Sequence, residues 1–241
     1  MSIAGLNEWL VTPQGRYVLA WEQERYDQIV ADIFGFNALQ MGMSQCDFLR
    51  ANRMPFRQSC DTEGRAEVHT LFEHLPYAAN SLDLVVMPHV LEFSRNPHQI
   101  LREVERVLVP EGQVVIAGFN PYSLWGMRRR LARCEPVFPW NGNYLGVLRL
   151  RDWLKLLGFE TQFGGFGCYA PAAVDGKWLQ RYNFMELAGA RWWPIAGAVY
   201  MLQAIKRVPG MRVILPGWRE RRARAKAKAL APVVQKSGTD H

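Results

Sequence analysis

The sequence predicts an α/β fold: a mostly parallel twisted sheet with helices on both faces and an antiparallel edge strand. Three observations carry that expectation. Short apolar runs alternate with amphipathic stretches from residue 16 to residue 118. One run, Leu82–Met87, is almost continuously apolar, as strands buried on both faces of a parallel sheet are. Glycine or turn residues close nearly every run, the punctuation of alternating strands and helices.

The elements follow in order. Residues 16–35 carry Val18, Leu19, Tyr26, Ile29, Val30, Ile33 and Phe34 at helical spacing, with Gly35 read as the stop. Ala38–Gly42 is a first strand, residues 46–52 a brief helix, Phe56–Cys60 a second strand ending at Asp61, and Val68–Leu71 a third. Leu82–Met87 is the fourth. Asn96-Pro97 opens a helix whose stripe is Ile100, Leu101, Val104, Val107 and Leu108, since Asn suits the cap and Pro the first helical position. Gln113–Gly118 is the fifth strand. A helix over Leu150–Leu157, a strand over residues 161–169 and a final strand over 196–205 complete the reading, the last as the antiparallel edge. The apolar run from Trp192 to Ile205 is too short to span a bilayer, which takes about 20 residues, so it is read as a buried strand.

With 241 residues, 49% of them hydrophobic, the chain can bury one core plus a small cap. The expected organisation is a single domain over 1–205, with cap elements in 121–195, and a basic tail over 206–241. The formal charge of +7 is misleading until located: residues 206–228 hold nine Lys/Arg and one Glu, which leaves the remainder at −1. The body carries no broad basic face, and a small-molecule substrate is expected rather than a nucleic acid. The tail is read as a solvated extension, with weak RNA or anionic-surface contact as its functional alternative. Cys46, Cys60, Cys134 and Cys168 form no C-x-x-C pair, the histidines show no metal-ligand spacing, and the first residues lack a secretory pattern. A reduced, cytoplasmic protein with no metal and no transmembrane segment is expected.

The span from Leu75 to Gly118 contains L-P-Y-A-A-N-S-L-D-L-V, then H-V-L-E-F, then L-R-E-V-E-R-V-L-V-P-E-G and the strand that follows. It resembles the middle of the class I S-adenosylmethionine-dependent methyltransferases, in the group called type 11, which have a Rossmann-like fold. The resemblance implies S-adenosylmethionine as cofactor and a methyl acceptor held by the cap. Its cofactor site would comprise Gln40, Gly42 and Met43 after the first strand, Asp61 for the ribose diol, and Leu71 and Phe72 near adenine. Met87, Pro88 and His89, at the end of the fourth strand, complete it. Backbone groups at Leu71 or the Glu73 side chain would take over the acid that relatives carry beside adenine.

Of the D/E-x-G-x-G-x-G loop of relatives only Gly42 remains, and Met43 and Gln45 add bulk where the cofactor would lie. His89 is a candidate base or cofactor contact; Asn120 and Tyr122 are candidates to face the acceptor. No triad is required, because methyl transfer from a sulfonium mainly needs alignment. The competing reading is a scaffold that has lost activity and binds RNA or a protein through its tail.

Overall fold

The computed structural model describes residues 5–131, 138–171, 186, 189 and 191–207. Within the expected cap, residues 132–137, 172–185, 187, 188 and 190, Cys134 and Trp178 among them, lie outside the described residues, as do the tail beyond Arg207 and any RNA or surface contact through it. The strands are β1 (Asn37–Met41), β2 (Phe56–Asp61), β3 (Val68–His69), β4 (Leu82–Pro88), β5 (Leu108–Phe119), β6 (Phe159–Gly167) and β7 (Val199–Lys206). They form one sheet in the order β3-β2-β1-β4-β5-β7-β6. The pairs from β3 to β5 are parallel, and β7 runs antiparallel to both β5 and β6. The antiparallel strand expected at the edge therefore lies one place in, and β6 is the edge.

Helices cover both faces: α1 (Leu6–Leu10), α2 (Pro13–Val30), α3 (Pro97–Val107), α4 (Leu124–Leu131) and α5 (Val147–Leu156). β4 is buried along almost its whole length because side chains from both layers reach it. On one face Val85 and Met87 pack with Ile100, Val104 and Leu150; on the other Leu84 and Val86 pack with Trp9, Val18 and Tyr26. At the start of α2, Thr12 Oγ1 accepts the Gly15 N–H at 3.1 Å and Pro13 occupies the first turn, a strong start signal. No helix among the described residues is long and apolar enough to cross a membrane.

Four local expectations change. The first long helix ends at Val30, and Gly35 is not its stop. Gly35 instead permits a close approach: a Cβ there would lie 2.4 Å from Asp83 Cβ, and Asp83 Oδ2 accepts the N–H groups of Phe36 and Asn37. Residues 46–52 form turns rather than a helix, held by Gln40 and by Asn52, whose Nδ2 donates to the carbonyls of Val30 and Ile33. The third strand stops at His69. The final strand begins at Val199, and the tryptophans before it sit in a solvent-facing turn, because Pro194 interrupts the run.

Candidate functional site

At the end of β1 the chain turns through Gly42 and Met43 in the left-handed region, with φ of 77° and 48°. β1 is the switch point of the sheet, with β2 on one side and β4 on the other, and open α/β sheets bind ligands in the crevice outside the carboxyl ends there. A cavity of about 420 Å³ opens at this place, bordered by Gly42, Asp61, Phe72, Glu73, Val90 and Phe93 among others. That volume falls in the range of small-molecule sites. A Cβ on Gly42 would come within 3.1 Å of Val90 Cγ2 and 3.7 Å of Phe72 Cζ. Glycine is required for the backbone angle and keeps this wall close.

Gln40, expected to face a cofactor, is turned beneath the loop. Its Nε2 lies within donating distance of the carbonyls of Gly42 (3.2 Å), Met43 (3.2 Å) and Cys46 (2.7 Å), and its Oε1 accepts the Phe48 N–H at 2.9 Å. A buried turn must satisfy its backbone groups, and the amide does so with both its donor and its acceptor ends. Met43 borders the crevice but is only 2% exposed, packed in the core layer of α1 and α2. The bulk expected to block the crevice is thus largely withdrawn from it. Gln45 also borders the crevice and donates to Asn7 Oδ1 at 2.5 Å, which ties α1 to the loop.

Asp61 sits at the end of β2 on the opposite wall. Its Oδ1 accepts the Thr62 N–H at 2.7 Å, and its Oδ2 is engaged by none of the described residues. Beside it Thr62 Oγ1 is buried without a partner among them. A half-engaged carboxylate facing a glycine turn suits a vicinal diol, which presents two O–H donors. Leu71 and Phe72 border the same crevice. The structure therefore gathers Gly42, Met43, Asp61, Leu71 and Phe72 around one cavity. It adds Asn7, Val90 and Phe93, which the sequence did not single out.

The residues expected after β4 behave differently. Met87 and Pro88 are buried strand-end residues paired with Ile116 and Ala117, and neither borders the crevice. His89, at φ 53° and 1% exposed, points into the protein. Its Nε2 lies 2.5 Å from Glu22 Oε1, and its Nδ1 bonds to Glu92 Oε1. Glu92 Oε2 in turn accepts the Phe119 N–H at 2.9 Å. With an acid at each ring nitrogen, both nitrogens donate and no lone pair is left to act as a base. Burial alone would push the His89 pKa down, but the charges of Glu22 and Glu92 and the hydrogen bonds to them outweigh it, raising it to about 10. Glu92 belongs to the H-V-L-E-F run, whereas Glu22 gave no signal, being one of several acids on an amphipathic helix.

The raised pKa gives a pH signature. Stability contributed by the charged imidazole is fully present below its unfolded value of about 6.5 and is lost as pH rises toward about 10. Chemical denaturation at pH 6, 8 and 9.5 is expected to show falling stability, with a shallower slope in His89→Gln. Equal slopes would contradict an imidazolium in the folded state.

Asn120 and Tyr122 do not join the site either. Asn120 Nδ2 donates to the carbonyls of Ile195 and Gly197, and its Oδ1 accepts the Tyr122 N–H, so its side chain builds a turn. Tyr122 is 72% exposed and borders a separate surface groove. The three candidate catalytic residues thus occupy three different environments, and none borders the crevice.

Residues 45–116 match the family described as a methyltransferase domain. Among solved structures, S-adenosylmethionine-dependent methyltransferases from Thermotoga maritima and Archaeoglobus fulgidus superpose with TM-scores of 0.59 and 0.56. The first shares 15% identity over 83% of this chain and 94% of its own; the second shares 17% over 79% and 94%. The chain has the fold of the class I S-adenosylmethionine-dependent methyltransferases, and its middle matches the family model. At such identities the structural likeness establishes the fold. The uncharacterised protein YafS of Escherichia coli K12 is 30% identical over 155 residues, which are 64% of this chain. The match spans 65% of the length of that curated relative. The family match begins at Gln45, so β1, Gly42 and Met43 lie ahead of it.

Proposed function

We propose that this chain binds S-adenosylmethionine in the crevice beside Gly42 and transfers its methyl group to a small-molecule acceptor. The observation that carries this reading is the juxtaposition of a glycine turn at the sheet's switch point with Asp61 across an open cavity of about 420 Å³. The cofactor, when bound, supplies a methyl group on a sulfonium with a neutral thioether as leaving group. The chain's own residues hold and orient. The Gly42 backbone allows close approach, Asp61 accepts from a ribose diol, and Phe72 offers an apolar wall to a purine. Alignment of this kind is worth about 7–11 kcal/mol in favourable systems. His89, with both ring nitrogens engaged by acids, is not available as a base for the acceptor.

The scarcity of loop glycines favours an inactive scaffold in sequence terms; the withdrawn Met43 and the open cavity support the transferase instead. A thermal-shift series tests the choice. A ligand at about 100 times its Kd stabilises by about 2.7 kcal/mol, which is a rise of roughly 5–10 °C for a chain of this size. S-adenosylhomocysteine is expected to give that rise, and NAD none. No shift with S-adenosylhomocysteine at millimolar concentration would reject the reading.

A further inference from the structure

A second surface shares no lining residue with the crevice. α4 turns Trp125 and Gly126 inward, while Leu124, Met127 and Leu131 lie at i, i+3 and i+7, which places them on one helical face. All three are exposed, Leu131 by 78%. Against the start of α4 lies the turn 191–196, fastened by the bond from Asn120 Nδ2 to the Ile195 carbonyl at 2.8 Å. That turn exposes Trp192, Trp193 and Ile195. Ala196 of the turn and Leu124, Met127 and Arg130 of α4 border one shallow groove of about 270 Å³. A soluble surface carries single apolar side chains as a matter of course; six large ones on two adjoining segments mark an interaction surface.

Its charge says what covers it. Arg130 and Arg191 are exposed on these two segments, Arg128 lies over the Trp140 ring and Arg129 is bonded to the Trp140 carbonyl beside them, and neither 121–131 nor 191–197 contains an acidic residue. Arginine together with exposed tryptophan and aliphatic side chains is the chemistry of a bilayer interface. Cations pair with lipid phosphates, indole rings settle at headgroup level, and aliphatic chains reach the acyl region. An RNA would use the arginines but gain nothing from Leu124, Met127, Leu131 and Ile195, since single strands are held by stacking on aromatic faces. We propose that this surface docks the protein peripherally on an anionic phospholipid bilayer.

The test is co-sedimentation of the full chain with sucrose-loaded vesicles of phosphatidylcholine, alone or mixed with phosphatidylglycerol. Binding is expected to the mixed vesicles only and to weaken as salt is raised. The triple variant Leu124→Glu/Met127→Glu/Ile195→Glu leaves the basic residues 206–228 untouched. Its partition coefficient is expected to fall by about tenfold or more, from lost acyl contact and added repulsion. Quenching of intrinsic fluorescence by brominated lipid, on the unaltered chain and on Trp192→Phe/Trp193→Phe, gives a second readout that does not depend on the triple variant folding. Quenching is expected in the first and reduced in the second. The proposal is overturned if the parent ignores anionic vesicles or if the triple variant binds them equally well. It is also overturned if single-stranded RNA binds this surface in the lipid's place, or if the parent is a dimer that the triple variant dissociates without any vesicle binding.

Discussion

His89→Leu is expected to destabilise the protein by about 3–5 kcal/mol, the cost of removing one partner from a buried ionic cluster. The side chain is 1% exposed, and its loss leaves Glu22 and Glu92 facing one another across an apolar gap with no positive charge between them. For a chain of this size the melting temperature should fall by roughly 6–20 °C. Glu22→Gln in the same background should recover part of the loss, because it removes one of the two uncompensated acids; the coupling is read from the double-mutant cycle. A His89 that merely touched a cofactor would behave in the opposite way, with unchanged thermal stability and weakened binding. A loss below 1 kcal/mol would refute the cluster's role in holding α2 to the end of β4.

Asp61→Ala is expected to show the complementary pattern. In the free protein its side chain caps only the Thr62 N–H, so stability should change little. In the complex it would accept hydrogen bonds from the ribose diol. Hydrogen bonds to a charged group are worth about 1.5–3 kcal/mol, so affinity for S-adenosylhomocysteine should drop by roughly tenfold to a hundredfold. Unchanged affinity in isothermal titration calorimetry would mean that the nucleoside is held elsewhere. The two substitutions separate a structural residue from a binding residue, although both stand at strand ends in the sequence.

The parallel half of the sheet was legible because its strands write themselves strongly. Leu82–Met87 is buried on both faces, and Pro97 with the Ile100–Leu108 stripe marks α3 without ambiguity. The end of the chain was less readable. Tryptophans at 192 and 193 look like core residues by hydropathy, and only the turn built by Asn120 and Pro194 exposes them. In the crevice, Gly42 and Asp61 could be placed because each closes a strand. The orientation of Gln40 could not be read, because an amide serves as well facing a ligand as satisfying the backbone of its own turn. His89 was misjudged for a related reason. Its position after β4 suggested the crevice, but its rotation inward depends on Glu22, which lies 67 residues away on α2 and leaves no local trace.

Calorimetric titration of the full chain with S-adenosylhomocysteine is the most direct test of the transferase reading. One saturable site per chain with a micromolar Kd is the predicted result, corresponding to about 8 kcal/mol of binding free energy. Absence of saturable heat at millimolar ligand, from a chain whose folding is verified, would contradict it and leave a methyltransferase fold without its cofactor.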